Sequence, residues 1–224
     1  MGTARWPGLC LIGAGALTLP TVTHPDILEV GLADASLTSW WTAVHAAGLV
    51  VVVLFLAGVA GLALLHRGRW GRLGTVAVPV TAVGLVATAA LSGIEAFAFP
   101  AVARAEPGLL EFDGPIAGTA GFWILGGLAA LWLLGSALLG VAVARAGVLP
   151  RAPALLLAAG ALGFAAFEGP FVPVLGPLAV VVFAAGQVWL GAALAGAGSG
   201  AGFGSGEERG GAGGQPARAE RTPR

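Results

Sequence analysis

Charged side chains are sparse over the first 196 residues, and most of those present gather at short polar breaks between long apolar runs. A helix crossing about 30 Å of hydrocarbon needs about 20 apolar residues, with about 17 as the lower limit. Residues 40–65, 73–99 and 115–144 meet that length outright. Residues 152–168 and 174–195 are shorter or bounded by proline, yet carry no charge before Glu168. The first run, 9–22, reaches spanning length only when extended to Trp6 and Thr23, giving a segment of 6–23. The pattern predicts an all-α membrane protein of six transmembrane helices in a compact bundle with short loops, one domain over residues 1–196.

A cleaved signal peptide competes for the first segment, because Arg5 precedes a short apolar run. Cleavage after Ala14-Gly15-Ala16 would leave an apolar region of only about seven residues, the lower limit for such peptides. Residues 17–20 beyond it are still apolar, so a retained helix is expected.

Orientation follows from the basic residues, which accumulate in cytoplasmic loops. All 11 are arginine. Arg5, Arg67, Arg69, Arg72, Arg145, Arg151, Arg209, Arg218, Arg221 and Arg224 fall on one side of the six segments, and Arg104 alone on the other. Both termini are therefore expected in the cytoplasm. The acids show the opposite bias: Asp26, Glu29, Asp34, Glu106, Glu111 and Asp113 lie in the two longer outer loops and read as solvated. Residues 197–224 turn to Gly, Ser, Ala, Pro, Glu and Arg, too little apolar surface to offset ordering entropy, and read as a disordered cytoplasmic tail.

Composition narrows the class further. With 57% apolar and 10% charged residues, a water-soluble monomer is excluded, since ordinary domains carry about 25% charge. A net charge of zero removes the basic footprint of a nucleic-acid partner. Cys10 is the single cysteine, which excludes an intrachain disulfide and a Cys-rich metal site. The absence of lysine and the Ala, Gly, Val and Leu load fit a high-GC bacterial genome, so the expected location is a bacterial inner membrane, with the lipid bilayer as first partner. The motifs GxSxG, HExxH and the glycine–lysine phosphate loop are absent. Gly13-Ala14-Gly15 lies in a membrane segment with no strand before it and fails as a dinucleotide fingerprint. A role other than enzyme is expected.

Two internal features bear on packing. The turns Arg67–Arg72 and Arg145–Arg151 each lead through an apolar helix to a glutamate near a proline, Glu95 before Pro100 and Glu168 before Pro170, which suggests a parallel repeat of unequal copies. Small-residue pairs such as Ala57/Gly61, Ser136/Gly140, Ala159/Gly163 and Ala192/Gly196 predict close helix packing. Trp40, Trp41 and Trp123 at outer ends, and Trp6 and Trp70 at inner ends, read as headgroup anchors.

Ionisable side chains inside hydrocarbon are costly, so each is a functional candidate. His24, His45, Glu95 and Glu168 come from different segments, yet the alternating topology brings all four to the outer end. Thr81, Thr88 and Glu95 recur every seven residues, with Ser92 one turn from Thr88 and from Glu95, so Glu95 ends a polar stripe on one helix face. Gln187, near the middle of the last segment, also needs a partner, whereas His66 beside Arg67 reads as a solvated cytoplasmic cap.

The polar cluster His45, Glu95, Glu168, His24, Ser92 and Thr88 admits three chemistries. Zinc takes imidazole and carboxylate ligands, and His24, His45, Glu95 and Glu168 would supply four. A carboxylate beside a histidine can instead exchange protons for sensing or transport. Bis-histidine haem is a third, although His66 stands at the opposite end. No cofactor is firmly implied. The expected function is a small transporter or sensor with an outer-facing His/Glu site that binds a cation or titrates. The alternative is a structural or assembly partner of other membrane proteins, or a homo-oligomer, in which these side chains only fix helix register and Glu168 and His24 are wet loop residues.

Overall fold

The structure, a computed structural model, describes residues 5–200. Helix α1 (Arg5–Thr18) runs into a 3-10 turn, Leu19–Thr23, and two short helices follow, α2 (Ile27–Val30) and α3 (Leu32–Ser36). Long helices α4 (Trp41–Leu65) and α5 (Gly71–Phe97) come next, then short α6 (Phe99–Ala105) and a 3-10 turn, Pro107–Leu110. Helices α7 (Ala120–Ala146), α8 (Arg151–Gly163) and α9 (Leu175–Gly200) complete the chain, with a π turn, Phe164–Glu168, after α8. Six helical spans are long and apolar enough to cross a membrane, and no strand occurs among the described residues.

Six helices form a ring in chain order. Helices α1, α4, α5, α7, α8 and α9 each pack along the next, and α9 returns to α1. The doubtful first segment is thus the wall that closes the ring, with Leu11 and Ala14 fully buried. Its 14 helical residues and five-residue 3-10 turn together rise about 31 Å, which matches the hydrocarbon thickness. Backbones approach closely where glycine leaves room: a Cβ at Gly84 of α5 would collide with the Trp132 backbone of α7, and one at Gly160 of α8 with the Phe183 backbone of α9. Of the small-residue pairs, Gly61 sits against Pro7 and Gly140 against Ala154, but Gly196 faces open space.

Phe55, Trp132, Phe164 and Phe183 fill the middle of the ring, with Trp132 and Phe183 centroids 5.1 Å apart and Phe55 and Trp132 6.0 Å apart. These rings come from α4, α7, the π turn and α9, so the bundle is knitted across its centre by aromatic packing rather than by polar bonds.

The end of the bundle that carries the two longer loops, expected to face outward, departs from the sequence expectation. The longer outer loops are a structured layer in which α2, α3, α6 and the turn at 107–110 gather around buried Leu32, Ala35, Trp41, Phe99, Leu110 and Ala117. Asp26 is not merely solvated: its carboxylate accepts from the Leu28 and Glu29 N–H groups at 2.9 and 3.2 Å and starts α2. The fourth span begins at Ala120 rather than 115, because turns such as Ile116 N–H to Leu109 C=O hold the preceding residues in this layer. The last span continues to Gly200, past the expected end at 195, and the rest of the expected tail lies outside the described residues.

Candidate functional site

Glu95 reaches its position because α5 breaks just beyond it. Pro100 has no N–H to give the Ala96 carbonyl, and the Thr42 hydroxyl donates to it instead at 3.2 Å. One residue earlier the Trp41 indole N–H donates to the Glu95 carbonyl at 2.6 Å. The first turn of α4 therefore takes over backbone acceptors at the α5 terminus and locks the two helices together. Trp41 is fully buried and makes this bond, so it is not the headgroup anchor expected from its place in the chain. Trp6, Trp40 and Trp123 are well exposed, as an anchoring role requires.

One turn along α4, His45 Nδ1 donates to the Trp41 carbonyl at 2.8 Å. Its other nitrogen, Nε2, lies 3.3 Å from Glu95 Oε2 and 3.2 Å from His24 Nε2. His24 follows the 3-10 turn after α1, and its Nδ1 donates to the Pro25 carbonyl at 2.8 Å. The Trp41 ring lies against both imidazoles, with centroids 4.2 Å from His45 and 5.2 Å from His24. Phe171, from the segment between the π turn and α9, stacks on His24 at 5.6 Å. His45 and Glu95 are 7% and 16% exposed. Three of the four expected residues thus meet in one part-buried cluster walled by aromatic rings.

The other candidates go elsewhere. Glu168 is buried, not a wet loop residue, but no hydrogen bond or ion pair joins it to the other three among the described residues. Its side chain lies beside Gly176, at the foot of α9. The repeat therefore does not give its two glutamates equal roles: Glu95 stands in the last turn of α5, before the break at Pro100, beside α4, whereas α8 ends at Glu168 in a π turn. Thr88 leaves the cluster too, donating to the Gly84 carbonyl at 2.9 Å and lying 3.4 Å from the Ala129 carbonyl of α7. Seven residues rise about 10 Å along an α-helix, so Thr88 stands too far from Glu95 to reach the cluster and lies instead beside α7. Ser92 is buried beside Gly48, one turn below the cluster. Gln187 finds Thr18 of α1 at 3.5 Å.

At the opposite end His66 is fully buried, not a solvated cap. Its Nδ1 donates to the Leu62 carbonyl at 2.8 Å and its ring stacks on Trp70 at 5.6 Å, while Nε2 has no hydrogen-bond partner among the described residues. It cannot share a haem with His45 at the other end of α4. Among the described residues no group of three or more His, Cys, Asp or Glu side chains is arranged to hold a metal ion. The two contacts of the outer cluster run through His45 as a chain.

Phe171 and Trp41 are the site residues that polarity along the sequence does not reveal. Pro100 advertises a free Ala96 carbonyl, which Thr42 takes, but nothing along the sequence marks the Glu95 carbonyl as the partner of Trp41. Phe171 gave no signal either.

Fold and site together define a polytopic all-helical protein with a His–His–Glu cluster at one end of its bundle. No family model, curated protein or solved structure matches the chain.

Proposed function

We propose that this is a small multi-pass protein of a bacterial inner membrane, with both termini cytoplasmic, whose outer-facing cluster of His24, His45 and Glu95 binds a cation or titrates in a sensing or transport step. The observation that carries the reading is the meeting at His45 Nε2 of a second imidazole nitrogen and a carboxylate oxygen, at 3.2 and 3.3 Å. The arginine distribution supports the orientation. The aromatic plug of Phe55, Trp132, Phe164 and Phe183 favours sensing over an open conduit, because it fills the ring inward of the cluster.

Trp41 offers a direct readout, since its indole touches both imidazoles. Emission from the purified full chain in lipid nanodiscs, differenced against Trp41→Phe, is expected to change across the range from about pH 5 to about pH 8 where histidine charge changes. Glu95→Gln is expected to alter the midpoint or amplitude of that change. A difference signal that is flat with pH and unmoved by added cations would contradict the reading and leave a bundle whose polar groups only set packing.

A further inference from the structure

The hydrogen-bond pattern of the two imidazoles restricts what the cluster can hold. A carbonyl oxygen only accepts, so the bonds from His45 Nδ1 to Trp41 and from His24 Nδ1 to Pro25 require a hydrogen on each Nδ1. Each neutral ring then has a bare lone pair at Nε2. Those two atoms face each other at 3.2 Å, with the Glu95 oxygen 3.3 Å from the same His45 atom. Three acceptors in contact, with no donor between them, repel.

We infer that the cation of this site is a single proton carried on His45 Nε2 and donated to His24 Nε2, with the Glu95 carboxylate as its counter-charge, and that its loss separates His24 from His45. This rests on the reading of the cluster as a cation or titrating site and names the cation.

A count of placements leads there. A proton on Glu95 serves His45 but leaves His24 facing an occupied acceptor. A proton on His24 Nε2 serves His45 but sets the Glu95 carboxylate against a nitrogen whose lone pair is already used. A proton on His45 Nε2 is donated to His24 Nε2, the contact with hydrogen-bond geometry, and sets the imidazolium charge 3.3 Å from the Glu95 carboxylate as its counter-charge. A second proton, one on each Nε2, would put two donors head to head at 3.2 Å.

The groups around His45 allow no other partner. The segment after α1 contributes His24 and α5 contributes Glu95; α3 carries Asp34, which is exposed, and Glu168 after α8 is bonded to none of them among the described residues. Within α4 the nearest bonded group is the Trp41 carbonyl.

Geometry also says which residue yields when the proton leaves. His45 and Glu95 stand on the two long helices that Trp41 and Thr42 bolt together. His24 sits on a connection between a 3-10 turn and α2, tied by its own N–H to the Thr21 carbonyl. Beyond it is Phe171, whose backbone φ of 54° is unfavourable for a residue with a side chain. His24 is the movable member, and Phe171 moves with it.

Nitrogen-15 magnetic resonance on the full chain in nanodiscs, with histidines labelled, tests this directly, because the chain has three histidines. His66→Phe and His24→Phe assign the signals, and the latter keeps a ring against Phe171. The expected spectrum has Nδ1 protonated on His24 and His45 and one Nε2 signal of intermediate shift, which gives way to two bare Nε2 signals as pH rises. At fixed pH, Glu95→Gln is expected to reduce the occupancy of the shared proton about tenfold. Nε2–H with bare Nδ1 on either residue would overturn the inference. So would stoichiometric displacement of the shared-proton signal by one equivalent of Zn²⁺ at neutral pH. Either result leaves the broader reading to stand on the Trp41 emission response, whereas a flat emission response removes that reading as well.

Discussion

At the two ends of α4, His45 in its second turn and His66 at its C-cap each donate from Nδ1 to the carbonyl four residues back, Trp41 and Leu62, and both bonds are 2.8 Å. Both are buried and both lie against a tryptophan. They differ in the partners of Nε2: a histidine and a glutamate for His45, and no hydrogen-bond partner among the described residues for His66. Burial and a backbone bond are thus common to the two, and only the outer one has partners with which to share a proton. Burial, with the nearby Arg69 charge adding to it, holds the His66 pKa below its ordinary value of 6.5 against the opposing effect of the Leu62 carbonyl, so the inner ring stays neutral.

The sharpest way to break this comparison is to remove the tryptophan from each side. Trp41→Ala takes a fully buried ring and the bond to Glu95 from the outer layer, and is expected to cost about 4 kcal/mol in thermal unfolding in detergent. Trp70→Ala, at a half-buried ring, is expected to cost less than half as much. Equal losses would mean that the outer layer is not held as described.

Next in size is the loss of one polar partner. Glu95→Leu with His45 retained leaves the imidazole facing an apolar chain, for about 2 kcal/mol. Glu95→Gln keeps an acceptor and is expected to cost about 1 kcal/mol or less by the same melt.

His66→Phe keeps the ring stacked on Trp70 and loses a single bond, so a change within about 1 kcal/mol is expected at neutral pH. The sign with pH follows from the lowered pKa. The unfolded chain takes the proton more readily, so the His66 contribution is complete above pH 6.5 and falls away as pH drops toward the folded value. Melts of His66→Phe on acidification are accordingly expected to lose less stability than the parent.

The smallest effect has the opposite sign. Inner turns place glycine where φ is positive, at Gly68, Gly71 and Gly147, whereas the outer segment before α9 places Phe171 and Val174 there, at φ 54° and 66°. Val174 is exposed, so Val174→Gly removes little packing and is expected to stabilise by up to about 1 kcal/mol.

The six spans were legible because a 20-residue apolar run has one physical solution in hydrocarbon, with every backbone group bonded within the helix. Topology brings His24, His45, Glu95 and Glu168 to one end, but that the first three touch and Glu168 does not was set by helix packing that alternation alone does not reveal. Thr88 shares a helix face with Glu95 but stands about 10 Å from it along the axis, a separation that a shared-face pattern does not register. Glu168 and His66 were misread as wet because side-chain burial at a helix end depends on the turn beyond it, here a π turn and a stacked Trp70. The outer layer escaped because the acids of 26–34 and 106–113 masked the apolar residues between them, which pack only when the two loops meet.

A proton count separates the two ends most directly. The full chain in nanodiscs is titrated from about pH 5 to about pH 8 beside Glu95→Gln and His66→Phe, and the protons bound are measured at each pH. The Glu95→Gln curve is expected to differ from the parent by up to about one proton, whereas His66→Phe is expected to differ only at the acidic end, where the lowered His66 pKa places its proton. A Glu95→Gln curve that superimposes on the parent would contradict the claim that the outer cluster titrates as a unit.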